Sequence, residues 1–160
     1  MYLGECAPAG RMPEGQLRFL SAAYEHTCAV SEAGEVHCWG QNSAGQTNVP
    51  AELGPSTAVV AGGFHSCALL LDGAVRCWGN NSYGQILVPS GLGRSVGLAT
   101  GGSHTCAVSS TGGIMCWGNN ESGQTMVPSD LDTAIDVRTG GYHSCMLSKM
   151  GTVRCWGDNA

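Results

Sequence analysis

A 39-residue period runs through this chain four times without a slip, and it limits the possible folds more than any other feature. Each unit carries two cysteines, a His two residues before the first Cys, and a Trp-Gly pair directly after the second. The cysteines concerned are Cys28, Cys38, Cys67, Cys77, Cys106, Cys116, Cys145 and Cys155. A fixed period of roughly 20–50 residues is typical of solenoids, propellers and repeat arrays. The period therefore predicts a row of like units with one shared architecture.

The second unit contains three short apolar runs that predict β-strands. They lie near residues 58–62, 65–70 and 74–79, with copies 39 residues away in the other units. Runs this short, bounded by Gly and Asp, are typical of strands and not of helices. Asp72-Gly73 predicts a hairpin between the second and third runs, because Gly tolerates the positive φ that such a turn requires.

The segment after the third run predicts a linker. In the second unit it contains Gly84-Gln85 and then Val88-Pro89. Proline removes a ladder donor, so this segment is an edge strand or no strand at all. Each unit then has three good strands and a doubtful fourth, which is the make-up of a propeller blade. The predicted fold is all-β, with about four antiparallel 39-residue blades that form a partial β-propeller.

Two domain readings follow from the ends of the repeat array. Residues 1–15 form an N-terminal segment that could be the tail of a preceding blade, and residues 16–160 hold four repeats, of which the last is incomplete. In one reading the N-terminal segment completes the last blade and four blades close a ring. In the other the chain is part of a longer propeller. We favour the second, because terminal repeats usually carry polar caps and none is evident here.

Charge and hydropathy argue against two classes of partner. Charged residues make up 12% of the chain, the net charge is −5, and Lys149 is its one lysine. A nucleic-acid surface needs clustered Lys and Arg, so direct nucleic-acid binding is not expected. No apolar run approaches the ~20 residues of a membrane helix, so no membrane partner is expected.

The repeat pattern resembles the regulator of chromosome condensation repeat family. The matching signature is Gly-Gly-x-His-Ser/Thr-Cys-Ala, then a turn Gly, then Trp-Gly-x-Asn-x-x-Gly-Gln, and residues 62–85 and 101–124 meet it. The resemblance implies a β-propeller, commonly of seven blades. It also implies a non-enzymatic module that binds another protein. Family roles are exchange factor for a small GTPase, docking region of a HECT-type ubiquitin ligase, and inhibitor of bacterial β-lactamases.

The two cysteines of each unit face each other across the predicted hairpin. With a loop at residues 71–73, Cys67 lies directly opposite Cys77, and the other three pairs follow by the period. A non-hydrogen-bonded pair has Cα atoms about 4.5 Å apart, at the short end of the range for a disulfide. Disulfides and reduced, buried thiols therefore both stay open. Cys6 has no partner by this rule.

The repeated His predicts a structural role. A general base needs an acid or nucleophile partner, and none recurs with it. Ser66 and Ser144 follow a His directly, but neighbouring strand residues point to opposite faces, so no Ser-His pair follows within a strand. A zinc site from His26, Cys28 and Cys38 is disfavoured, because the spacing is not that of structural zinc. We expect no catalytic residue, no cofactor and no metal.

Two positions that vary between units are the candidates for partner binding. A repeat scaffold keeps its core positions and varies its exposed ones. The pre-histidine row is Glu25, Phe64, Ser103 and Tyr142. The pre-cysteine row is His37, Arg76, Met115 and Arg154.

Two functional hypotheses remain, and the state of the cysteines divides them. The first is a non-enzymatic protein-interaction module in the cytoplasm or nucleus, with free cysteines. The second is a secreted, disulfide-stapled structural or inhibitory propeller outside the cell.

Overall fold

The structure is a computed structural model that describes residues 16–159. The predicted N-terminal segment and Cys6 lie outside the described residues. The described chain is all-β, with twelve strands in four antiparallel sheets of three. The first blade contains β1 (Leu17–Ala22), β2 (His26–Ser31) and β3 (Val36–Gly40). The second contains β4 (Ser56–Ala61), β5 (His65–Leu70) and β6 (Val75–Gly79). The third contains β7 (Ser95–Thr100), β8 (His104–Ser109) and β9 (Ile114–Gly118). The fourth contains β10 (Ala134–Thr139), β11 (His143–Ser148) and β12 (Val153–Gly157).

The predicted hairpin and its register are confirmed. The amide of Leu70 donates to the carbonyl of Ala74 at 2.8 Å, which leaves residues 71–73 as the loop. Gly73 has a φ of 87°, the left-handed conformation that ends such a turn. Cys67 then stands directly opposite Cys77 in the ladder, as the loop length requires.

The doubtful fourth strand does not form in the described part of the chain. The segment between one blade and the next makes tight turns and extended stretches without a ladder partner. Each linker leaves the end of the third strand and reaches the start of the next blade's first strand. Its apolar residues pack between the two blades, as Leu53 and Leu92 show.

The core lies between neighbouring blades. One side of each blade contributes its cysteine pair and the residues around it, and the next blade contributes its Trp and an apolar residue of its first strand. Between the second and third blades, Cys67, Leu69 and Val75 pack with Leu98 and Trp117. The first strands of neighbouring blades also contact each other, so these strands surround the propeller axis.

A pair of glycines lets the blades approach at the axis. The amide of Gly63 donates to the carbonyl of Gly101 at 3.0 Å, and Gly102 donates to Gly141 at 3.2 Å. A Cβ added to Gly63 would lie 2.4 Å from the carbonyl oxygen of Gly102. The Gly-Gly of the repeat therefore serves close backbone contact between blades as well as ending a strand.

The described residues form an open arc. Val59, Leu98 and Val137 occupy one repeat position and are buried against the preceding blade. Leu20 holds the same position in the first blade and is 61% exposed. The opposite side of the fourth blade is also exposed, with Val153 at 63%. This side is partly polar, because Asp136 and Arg138 pair across 3.0 Å on it.

Candidate functional site

The repeated histidines tie each blade to the next. Nε2 of His26 lies 2.9 Å from the hydroxyl of Ser66. His65 makes the same contact with Thr105 at 2.9 Å. His104 makes it with Ser144 at 3.0 Å. In each contact the imidazole belongs to one blade and the hydroxyl to the next, so the predicted structural role of the histidines agrees with their position.

The same hydroxyls also hydrogen-bond to the linker between the two blades. Ser66 donates its hydroxyl proton to the carbonyl of Gln46 at 2.8 Å. The indole N–H of Trp78 donates to that same carbonyl at 2.9 Å. Side-chain amides of Gln46 and Gln41 hold the linker turn itself, with a 2.9 Å hydrogen bond between them. The two following interfaces repeat the arrangement around the carbonyls of Gln85 and Gln124.

This geometry fixes the histidines as hydrogen-bond donors. Because the hydroxyl of Ser66 gives its proton to a backbone carbonyl, its oxygen accepts the N–H of His26. Burial lowers the pKa of His26. Burial, together with the nearby His104 and His26, lowers the pKa of His65 to about 3. His–Ser contacts that sequence reasoning did not foresee are present between blades, but these histidines cannot take the hydroxyl proton as a general base would.

The four cysteine pairs are bonded within their own hairpins. The S–S distances are 2.04 Å for Cys28–Cys38 and 2.08 Å for Cys67–Cys77. They are 2.07 Å for Cys106–Cys116 and 2.08 Å for Cys145–Cys155. The Cα atoms of each pair lie 4.0–4.1 Å apart. The sulfurs therefore bond to each other, and within residues 16–159 no group of His, Cys, Asp and Glu could hold a metal ion.

The pre-histidine row stands at the turn between the first two strands of each blade. The backbone carbonyl of every member accepts a hydrogen bond from the loop after the third strand. Phe64, for example, accepts the amide of Asn80 at 2.9 Å. Phe64 is 41% exposed and Tyr142 58% exposed, although the backbone that carries them is held in place. Glu25 is also exposed, and Ser103 is half-buried.

The pre-cysteine row lies on the third strand of each blade, away from the axis. His37 is half-buried, and Arg76, Met115 and Arg154 are exposed. Arg154 reaches both carboxylate oxygens of Asp130 at 3.3 Å. The two rows occupy different parts of the blade, so the structure does not bring them into one site.

Two further exposed features escaped the sequence analysis. Tyr24 is exposed beside the pre-histidine row. Its hydroxyl lies close to Gly141 of the fourth blade, because a Cβ added to Gly141 would be 3.2 Å from that hydroxyl. Tyr24 and the Gly pairs surround a 210 Å³ opening at the axis. Leu87 and Met126 precede the Val-Pro of successive linkers and are also exposed. An apolar residue in a predicted loop was the available signal for these two.

Four blades form an open arc, and the same hydrogen bonds from His to hydroxyl and from hydroxyl to carbonyl join them at each interface. These features define a β-propeller repeat protein. The model of the regulator of chromosome condensation (RCC1) repeat matches residues 20–46, 57–85, 96–124 and 134–160. The chain belongs to this family, as the resemblance indicated. A comparison with curated proteins gave no match.

Solved structures show the same fold in longer chains. The ectodomain of the Physcomitrella patens receptor kinase CR4 is 29% identical with a TM-score of 0.73, over 88% of this chain and 40% of that one. The CRINKLY WD40 ectodomain of the Arabidopsis thaliana receptor kinase ACR4 is 28% identical with a TM-score of 0.74, over 90% and 51%. Prp20p of Saccharomyces cerevisiae is 17% identical with a TM-score of 0.79, over 92% and 46%. This chain spans about half the length of these proteins or less.

Among residues 16–159, the structure contains no helix long and apolar enough to cross a membrane.

Proposed function

We propose that this chain is a non-enzymatic protein-recognition module that binds its partner through the pre-histidine row. The observation that carries this proposal is the exposure of Phe64 and Tyr142 on turns that the blade holds in place. Aromatic side chains are enriched at the hot spots of protein interfaces. A scaffold that is already ordered loses less conformational entropy when it binds.

The polar groups of the blades support a binding function over a catalytic one. The three buried histidines donate to hydroxyls whose own protons are already committed. Each blade repeats this arrangement, whereas an active site brings together different groups in one place. The exposed candidates are aromatic, aliphatic and Arg side chains, which suit contact with a protein surface.

The relatives support protein binding as a class without fixing the partner. The yeast Prp20p structure is described together with that protein's binding to Gsp1p and histones, at 17% identity to this chain. Exchange-factor and HECT-ligase docking roles therefore come from the family resemblance alone, and no residue described above distinguishes them.

A second and more specific candidate is protein recognition outside the cell. The four cystines favour it, because disulfides persist in oxidising compartments. The two receptor-kinase relatives at 28–29% identity are ectodomains, which points the same way. The alternative of a secreted, disulfide-stapled structural or inhibitory propeller draws on the same two observations.

The test compares partner capture by the wild type with capture by Phe64→Ala and Tyr142→Ala. Bait protein is immobilised, proteins from the native source are captured, and each is quantified by mass spectrometry. Each single change should remove about 1–2 kcal/mol of binding free energy, or roughly five- to thirtyfold in affinity, with the melting temperature kept. Leu87→Ala is the matched control, because this side chain is exposed on a linker away from the row.

Arg76→Ala and Arg154→Ala test the pre-cysteine row in the same capture experiment. If capture falls only with these two changes, the partner uses the third strands instead. If capture survives all four changes, neither row is the binding surface.

A further inference from the structure

Exposed aromatic side chains gather at one end of the blades. This turn end consists of the turns between the first and second strands and the loops that follow the third strands. The two sets of segments lie together, because the amide of Asn80 in such a loop donates to the carbonyl of Phe64 in such a turn at 2.9 Å. Every exposed aromatic residue of the part described, residues 16–159, belongs to the turn end: Tyr24, Phe64, Tyr83 and Tyr142.

Charge at the turn end has a single sign. Glu25 and Glu121 are exposed there, and Asp158 follows the last third strand. Within residues 16–159, no Lys or Arg lies in these turns and loops. The opposite end of the blades mixes both signs, as the 3.3 Å ion pair between Arg154 and Asp130 shows. The basic residues lie on strands, directly before a first strand or in a hairpin loop: Arg18, Arg76, Arg94, Arg138, Lys149 and Arg154.

Buried amide side chains hold the aromatic and acidic groups of the two inner blades. The Nδ2 group of Asn119, a residue buried at 5% exposure, donates to Oε2 of Glu121 at 3.0 Å. The amide of Tyr83 donates to Oε1 of Gln85, whose side chain is also buried, at 2.9 Å. Phe64, Tyr83 and Glu121 all have described blades on both sides, so their exposure is independent of what adjoins the first and fourth blades.

We propose that the partner segment bound at the turn end is basic, a stretch of polypeptide that presents Arg or Lys side chains. This inference rests on the proposed function and specifies the chemistry of its partner. A guanidinium or ammonium group is attracted to the face of a Tyr or Phe ring, and it also forms charge-assisted hydrogen bonds with a carboxylate. The exposed rings and the carboxylates of Glu25 and Glu121 therefore favour the same kind of side chain.

The other classes of segment fit this surface less well. An acidic segment would bring like charges together, which disfavours binding by electrostatic repulsion. An uncharged segment would cover the carboxylate of Glu121 without giving it a new partner, and burial of such a charge is costly. A basic segment alone offers a favourable contact to both kinds of group at the turn end.

The first experiment compares three synthetic peptides of equal length by fluorescence anisotropy. One alternates Arg and Lys with Gly and Ser, the second has Glu at the charged positions, and the third has Gln there. The basic peptide should bind more tightly than the other two, and its affinity should fall as the ionic strength rises. Equal affinities for the three peptides, or a preference for the acidic or the neutral one, would overturn the proposal.

A charge-matched pair of variants separates the turn end from the overall negative charge of the chain. Glu121→Gln should weaken binding of the basic peptide by about two- to fivefold and reduce its dependence on salt. Asp72→Asn removes one exposed carboxylate from a hairpin loop at the opposite end, and it should leave the affinity unchanged. Equal losses in the two variants would mean that the peptide responds to net charge alone, and the proposal would be wrong.

The aromatic contribution is tested at Tyr83. Tyr83→Ala should weaken binding of the basic peptide by about two- to fivefold, whereas Tyr83→Phe should keep the affinity because it keeps the ring. Leu71→Ala is the control at the opposite end, where this side chain is 62% exposed. A Phe variant as weak as the Ala variant would contradict the contact with the ring.

The partner-capture experiment distinguishes failure of this inference from failure of the proposed function. If capture from the native source depends on Phe64 but the three peptides bind equally, the pre-histidine row binds a partner of other chemistry and only the basic segment is wrong. If capture survives every change in the row, the proposed function fails, whatever the peptides show.

Discussion

The buried histidines show how one residue type joins neighbouring blades. Their side chains are removed from water at the blade interface, where the neutral form donates to a hydroxyl. Burial lowers the pKa of His65 to about 3 and, with the nearby His143, that of His104 to about 4. Neutral histidine is thus part of the folded state across the physiological range.

These pKa values predict that the protein loses stability in mild acid. The folded-state values lie below the ordinary 6.5, so the unfolded chain binds more protons from about pH 6.5 down to about pH 4 at His104 and about pH 3 at His65. The contribution of these histidines to the free energy of unfolding is then fully present above pH 6.5 and is lost as the pH falls. At pH 5, His65 and His104 should each contribute a loss of about 2 kcal/mol in the free energy of unfolding. Urea denaturation at pH 7 and pH 5 measures this.

The His65→Gln variant separates this effect from the titration of carboxylates. The variant should be less stable than the wild type at pH 7, because it perturbs the hydrogen bond between residue 65 and the hydroxyl of Thr105. Its loss between pH 7 and pH 5 should be smaller by about 2 kcal/mol, since one histidine no longer titrates. Equal losses in both proteins would show that His65 does not titrate as proposed.

The repeated Trp differ in burial between blades, which predicts stability effects of different size. Trp78 and Trp117 are buried and donate to linker carbonyls at 2.9 Å. Changing either to Ala should cost about 3–5 kcal/mol in the free energy of unfolding. Trp156 makes the same 2.9 Å hydrogen bond but is only half-buried, so Trp156→Ala should cost less. Equilibrium denaturation compares the three, and a loss under about one kcal/mol at Trp78 would contradict its place in the core.

At the scale of the element, the turn between the first two strands of the second blade requires a glycine at position 63. Gly63→Ala would place a Cβ 2.4 Å from a backbone oxygen of the next blade, which cannot move without disturbing the interface. We expect a loss of about 1–3 kcal/mol in the free energy of unfolding, as for other overpacked sites. Gly91→Ala is the control, because its nearest neighbour is the mobile end of Met115 at 3.6 Å. Similar denaturation midpoints for the two variants would contradict the close approach.

The blade itself was predictable from sequence because its signals are local. The strands, the loop at residues 71–73 and the Cys67–Cys77 register all follow from alternation, turn residues and counting across a hairpin. The contacts between blades were not predictable in the same way. His26 meets Ser66 40 residues away, and that meeting depends on how two sheets pack. The exposure of Phe64 and Tyr142 likewise depends on packing, so sequence could identify them only as variable positions.

At the scale of the whole molecule, the interfaces between blades account for both the rigidity and the open ends. Each blade buries its cystine against the next blade, and the fourth blade leaves its own partly exposed. Repeat proteins of this kind gain stability from contacts between neighbouring units. The pre-histidine row therefore lies on blades that pack through equivalent interfaces. Such a rigid scaffold suits a recognition surface.

The oxidation state of the cysteines tests most directly the disulfide-stapled blades on which the proposal of recognition outside the cell depends. The protein is purified from its natural source without reductant, and free thiols are alkylated before reduction and counted by mass spectrometry. The eight cysteines that are paired in the structure should be alkylated only after reduction. Alkylation of these eight before reduction would contradict the stapled blades and the proposal of recognition outside the cell.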